Sequence, residues 1–239
     1  MATSNLTQRR TAMLRSSVAL KAAMAVTGFI LVLFLIAHMY GNLKIFEGQA
    51  AFDVYSASLR TLGEPILPHG GALWIMRIVL LASVLIHITA AVILWRRARV
   101  ATGGKGSGRY HSSAARRGAQ RTYASFTLRW GGIVIALFVI YHLLHLTVNV
   151  IAPGGASESP YVRTVNGFEI WWVVLSYAIA LLALGFHLRH GMWAAFASLG
   201  ANKSPQRRRN LNIFAIIIAL VITVGFLVPP VAVLFGWVS

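Results

Sequence analysis

Six of the eight histidines in this 239-residue chain, His38, His87, His142, His145, His187 and His190, fall inside apolar runs otherwise suited to lipid. An imidazole at that depth is costly unless something satisfies it, so each is a functional candidate with a partner to be found. A lone one would be read as an interhelical hydrogen bond. Their depths argue for more. In runs that travel outward, His38 lies ~9 Å before Lys44 and His142 ~10 Å before Asn149, taking 1.5 Å per helical residue. In runs that travel inward, His87 lies roughly 12 Å before Trp95 and His187 ~9 Å before Trp193. His145 and His190 sit closer to the interfaces, at about 6 and 4.5 Å from the same markers. His38 and His142 therefore share a level in the outer half, and His87 and His187 share one in the inner half.

Each level draws one histidine from each of two helices. Haem iron held by two histidines needs this arrangement, with neutral imidazoles approaching from opposite faces. Helix bundles build such sites from facing side chains in their cores. The readings are therefore His38 and His142 on an outer haem iron, His87 and His187 on an inner one, and an electron path across the membrane between them. Tetrahedral zinc or copper would need its ligands converging at one depth. A proton relay usually adds an intramembrane Asp or Glu, and the spans hold none. Haem propionates need cations or donors; Arg77 and Arg129 are candidates, as are Lys21 and Arg189, although each also suits snorkelling to its interface. Gly28, Gly132 and Gly185 are candidates to give a flat macrocycle room, a role shared with plain helix packing.

The elements that must position these residues are apolar runs of about 20 residues or more, each long enough to cross a bilayer as a helix. Five are expected, at about 21–43, 73–95, 130–151, 170–196 and 212–236. The composition agrees, with 57% hydrophobic residues and only 11% charged. The expected fold is all-α: a polytopic bundle of five transmembrane helices forming a single domain over 1–239. The first run leads into HMYGNLKIF rather than a small-residue cleavage site, so it is read as a retained helix. The chain has no cysteine, which removes disulfides, thiolate iron–sulfur clusters and cysteine-bound zinc within it.

The net charge of +17 is placed to orient the protein, not to read nucleic acid. The N-terminus carries Arg9, Arg10, Arg15 and Lys21. The second loop region carries Arg96, Arg97, Arg99, Lys105, Arg109, Arg116, Arg117, Arg121 and Arg129, and the fourth carries Lys203, Arg207, Arg208 and Arg209. The opposite side carries Lys44, Arg60, Arg77 and Arg163, together with all five acids, Glu47, Asp53, Glu64, Glu158 and Glu169. The excess of basic residues puts the N-terminus in the cytoplasm, and part of it suits anionic lipid or a docked subunit.

Between the spans, residues 1–20 read as a basic tail. The outer loop at about 44–72 is marked by turns at EPILPHGG, and a glycine- and serine-rich inner loop carries His111. GGKGSG lacks the strand and helix that a phosphate-binding loop needs. The loop histidines His69 and His111 read as solvated. Pro229 and Pro230 mark a break near the outer end of the last span. No convincing internal repeat is read from the chain.

The run KAAMAVTGFILVLFLIAHMYGNLKIFEG resembles the first helix of the cytochrome b membrane-anchor subunit of succinate dehydrogenases and fumarate reductases, in the single-subunit, five-helix, diheme type. HITAAVILWRRAR, FVIYHLLHLT and FHLRHGMWAAFASLG carry the resemblance through the next three spans. It implies a complex II anchor in the cell inner membrane. Flavoprotein and iron–sulfur subunits would dock on its cytoplasmic face, and two b haems would lie between succinate oxidation and a membrane quinone, with menaquinone expected. It implies the same ligand pairs as the depth argument and makes His145 and His190 secondary. Some diheme fumarate reductases carry a glutamate two residues before the helix IV histidine. Gly185 stands there, so their transmembrane proton path is not carried over.

Asn42, Tyr55, Glu64 and His69 are the polar candidates near a quinone. Succinate chemistry itself cannot reside in a chain without a flavin-binding fold. The competing readings are a diheme quinone cytochrome of another respiratory enzyme, and a haem-less structural anchor. Oligomeric state is left open.

Overall fold

The computed structural model describes residues 16–101 and 118–239. The N-terminal arginines at 9, 10 and 15 and most of the second loop region, with its glycine motif and His111, lie outside them. The described chain forms seven α-helices: α1 Ser17–Leu43, α2 Gln49–Thr61, α3 Gly71–Ala101, α4 Gly118–His142, α5 Pro160–Phe168, α6 Trp171–Ser198 and α7 Pro205–Leu234. A 3-10 turn, Lys44–Glu47, extends α1, and a π-helical turn, Leu143–Thr147, extends α4. Five of these helices are long and apolar enough to cross a membrane. The chain is an all-helical, multi-pass membrane protein; no strand occurs among the described residues.

The helices run past the expected spans mainly at the cytoplasmic ends assigned by charge. There the chain leaves hydrocarbon before the helix stops, so hydropathy marks the membrane and hydrogen bonding marks the helix. Starts are set by side chains. Ser16 accepts from the Ala19 amide at 3.1 Å, and Ser204 accepts from Arg207 with Pro205 at the first helical position. Both arrangements satisfy amide donors that a helix start leaves free. The break expected at Pro229 and Pro230 does not occur, because α7 continues through both to Leu234. Consecutive prolines keep helical φ, and near a helix end they leave few carbonyls without donors.

Helix α6 is the centre of the bundle. It packs against α1, α4 and α7, while α3 packs on α1. Val173, Val174, Tyr177, Ala180 and Leu181 are buried along it. Leu33, Ile78, Leu137 and Leu220, on four other spans, are each more than half exposed, as a lipid-facing surface requires.

Two short helices close the outer end, α2 within the expected outer loop and α5 before α6. Phe52 and Tyr161 join them through rings 6.0 Å apart. Asp53 of α2 accepts from the Ser159 hydroxyl at 2.6 Å and from the Tyr161 amide at 3.1 Å, which ties it to the start of α5. Ile45, Phe52, Tyr161, Val165, Phe168 and Tyr177 belong to one buried cluster beneath this cap.

Candidate functional site

Two histidine pairs form inside the bundle. His87 of α3 and His187 of α6 bring their ring centroids to 6.3 Å, and His38 of α1 and His142 of α4 bring theirs to 5.8 Å. Among the described residues no three of His, Asp and Glu converge as a metal site would need. The pairs lie at two depths. The ring of His87 touches α1 near Met24 and Gly28, and His38 is ten to fourteen residues further along the same helix, ~15–21 Å.

Each ring is placed by its neighbours. With Nδ1 protonated, His87 donates to the Met24 carbonyl at 3.1 Å and to Thr27 Oγ1 at 3.2 Å. Thr27 is free to accept because its own hydroxyl donates to the Ala23 carbonyl at 2.8 Å. That tautomer leaves the Nε2 lone pair for another partner. His187 Nδ1 faces the Leu128 carbonyl but falls short of a hydrogen bond, and it is buried. Phe34 stacks on His38 at 5.2 Å, and Phe138 lies against His142 at 5.8 Å.

These contacts reveal a common register that the sequence pattern alone did not. A methyl added to Gly28 would lie 3.5 Å from His87 Cε1 and 3.8 Å from Nδ1, and one added to Gly132 would meet the same two atoms of His187 at the same distances. Adding 104 to a number in α1 gives its counterpart in α4: Met24 and Leu128, Gly28 and Gly132, Phe34 and Phe138, His38 and His142. Adding 100 takes His87 in α3 to His187 in α6. The two helix pairs place their histidines, and the glycines that face two of them, in a common register that no convincing sequence repeat accompanies.

Of the secondary histidines, His145 is only 2% exposed, with Nδ1 2.9 Å from the Tyr177 hydroxyl. His190 contacts the Phe186 carbonyl at 3.1 Å and Thr127 Oγ1 at 3.2 Å. Arg77 lies over the Trp74 ring at 4.9 Å, and Arg129 over Trp95 at 5.7 Å, within range for cation–π attraction. Gly28 and Gly132 face histidine rings, whereas Gly185 packs on α7, where a Cβ would come within 2.5 Å of Thr223 Oγ1. A longer side chain at 185 would collide with α7 in this packing.

Near the outer pair, Asn42 donates to the His38 carbonyl at 2.8 Å and Tyr55 packs on Gly41. His69, expected to be only solvated, pairs with Glu64 at 3.1 Å on the exposed surface. The residues missed in the sequence are Thr27 and Tyr177. Only their positions could have flagged them as polar groups at histidine depth: Thr27 lies between Met24 and Gly28, which His87 touches, and Tyr177 lies ten residues before His187.

The site and fold together define a multi-pass membrane bundle with paired intramembrane histidines. Residues 108–225 match the family model of the succinate dehydrogenase/fumarate reductase transmembrane subunit, and the chain belongs to that family. The matched segment holds His142 and His187, while His38 and His87 precede it. No curated protein and no solved structure matches the chain.

Proposed function

We propose that the chain is a single-domain diheme cytochrome b anchor of a succinate:quinone oxidoreductase. His87 with His187 would hold the inner haem, and His38 with His142 the outer. The observation that carries the reading is the spacing of the two ring pairs. Two imidazole nitrogens each about 2 Å from a shared metal set their ring centroids roughly 6 Å apart, and the observed separations are 6.3 and 5.8 Å. The donor set also fits, since the bonds made by His87 Nδ1 leave Nε2 free. Bound at these pairs, haem would supply one-electron carriers between an iron–sulfur partner at one face and a quinone at the other. The protein's own contribution is to hold neutral imidazoles at two depths, fix their orientation and keep water from the interior.

The charge asymmetry supports a cytoplasmic N-terminus and a cytoplasmic docking face for flavoprotein and iron–sulfur subunits, with the chain in the cell inner membrane. Menaquinone is the acceptor proposed, received toward the outer end, where Asn42 and Tyr55 lie beside the His38 end of α1 and Glu64 and His69 belong to the outer loop. Arg77 and Arg129 stand at the outer and inner ends of the bundle as propionate partners that would have to leave their tryptophans.

Purified complex gives the test. A reduced-minus-oxidised spectrum and a pyridine haemochrome assay should find two b haems per chain. His87→Ala or His187→Ala should remove one haem, and His38→Ala or His142→Ala the other. A complex without a b-type band would refute the reading.

A further inference from the structure

Tyr177 lies on α6 ten residues outward of His187, ~15 Å along the helix, and so at the depth of the outer pair. Its hydroxyl is 3.3 Å from His142 Nδ1 and 2.9 Å from His145 Nδ1. A phenol has one proton, so it can donate to only one of them. An imidazole that ligates through Nε2 carries its proton on Nδ1 and must donate there. On the haem reading above, the directions follow: His142 Nδ1–H donates to the Tyr177 oxygen, and the Tyr177 O–H donates to His145 Nδ1.

The surroundings hold this chain of bonds in place. Tyr177 and His145 are both buried. Phe138 meets the Tyr177 ring edge-on at 4.8 Å and Phe168 does so at 4.9 Å, while Tyr141 stacks on His145 at 5.6 Å. His145 belongs to the π-helical turn Leu143–Thr147, a form concentrated at functional sites. Gly167 of α5 leaves the space its ring fills. A His145–Tyr177 bond alone would satisfy a buried hydroxyl; the second contact, onto His142, connects the pair to the proposed ligand. At the inner level the corresponding acceptors are the Met24 carbonyl and Thr27, so the two levels are served by different chemistry.

We propose that Tyr177, oriented by His145, is the positioning residue of the outer centre: it holds His142 in the Nε2-ligating tautomer and raises its basicity, which sets the outer potential independently of the inner one. A more basic ligand favours ferric iron, so removing the acceptor raises the midpoint.

The test is an equilibrium redox titration of the purified complex, with haem per chain quantified and the outer component assigned by its loss in His38→Ala. Tyr177→Phe should raise the outer midpoint and leave the inner one in place; a tenfold change in ferric over ferrous preference reads as about 59 mV. His145→Leu should move the outer midpoint the same way by less, and His145→Gln, which can still accept from Tyr177, should restore it. An unmoved outer midpoint in Tyr177→Phe, or equal movement of both midpoints, overturns the proposal. If Tyr177→Phe does not assemble, the His145 pair decides, and wild-type midpoints in both His145 variants overturn it. Wild-type complex without haem removes the haem reading and this inference together, whereas two haems with unmoved midpoints remove this inference alone.

Discussion

Gly167→Ala tests the tight contact beneath the outer cap. A Cβ at that position would lie 2.5 Å from His145 Nε2 and 2.7 Å from Cε1. Comfortable contacts between such atoms are about 3.5 Å, so the ring or α5 must give by about 1 Å. The ring has little freedom. Tyr141 stacks on one face, Phe168 stands edge-on, and Tyr177 is already at 2.9 Å from Nδ1. Movement toward Tyr177 makes a new collision, and movement away lengthens the bond past useful hydrogen-bond range. Overpacking costs about 1–3 kcal/mol, and the weakened bond adds about 1 kcal/mol. At about 2–4 °C per kcal/mol for a chain of this size, the apparent melting temperature should fall by roughly 5–15 °C. The assay is tryptophan-fluorescence melting in one detergent at one scan rate, since membrane subunits often unfold irreversibly. Gly191→Ala is the control: it lies in α6, a Cβ there meets nothing within 4 Å, and alanine gains about 0.5–1 kcal/mol over glycine inside a helix. The reasoning is refuted if Gly167→Ala melts with the wild type.

Asp53→Ala removes the carboxylate that accepts both bonds at the start of α5, a loss of about 2 kcal/mol. Amide exchange at residues 161–164 should then accelerate roughly 5–30-fold, and unchanged protection would show that the cap is held by other means. Gly185→Ala pushes a methyl onto Thr223 Oγ1 and should lower the melting temperature, while Gly185→Ala with Thr223→Ala should recover most of it. Additive losses in that cycle would remove the proposed contact. Gly131→Ser places a hydroxyl at the register position of Thr27, one residue from the Gly132 that faces the His187 ring, whose buried Nδ1 makes no hydrogen bond. A Cβ at 131 meets only the Ala183 carbonyl, at 3.5 Å, so the variant should fit and gain about 1 kcal/mol; a lower melting temperature would refute the register.

The spans were legible because hydrocarbon thickness imposes a length that composition records, and each of the five expected runs overlaps one of the five long helices, the third and fifth running a few residues past the helix end. The histidine levels could be counted for a related reason: an α-helix converts residue number into depth at a fixed rise. The outer cap was not legible. Its α2 occupies a stretch read as loop, and α5 has nine residues, too few for a periodic pattern to stand out. Ser159 followed by Pro160 was a start signal in plain view, overshadowed by the turn-forming residues before it. Tyr177 was missed because a tyrosine in an apolar run gives no local sign of what its hydroxyl will meet. The answer depends on α4 and α6 lying side by side, which is tertiary information.

The shared register makes the differences between the two halves informative. Where α4 has His145, α1 has Gly41, and Tyr55 of the outer cap packs there instead. Where α6 has Tyr177, α3 has Arg77, turned over Trp74. Where α1 has Thr27 beside His87, α4 has Gly131, next to the Gly132 that faces His187. The paired histidines and the glycines that face two of them are common to both helix pairs, while the groups that would tune each ring differ. A bundle in which only packing mattered would have no reason to place four histidines in register, because a buried imidazole is costlier than the leucine or valine that would fill the same space. Matched rings with different surroundings are what the two haem centres proposed above would require if they differ in character.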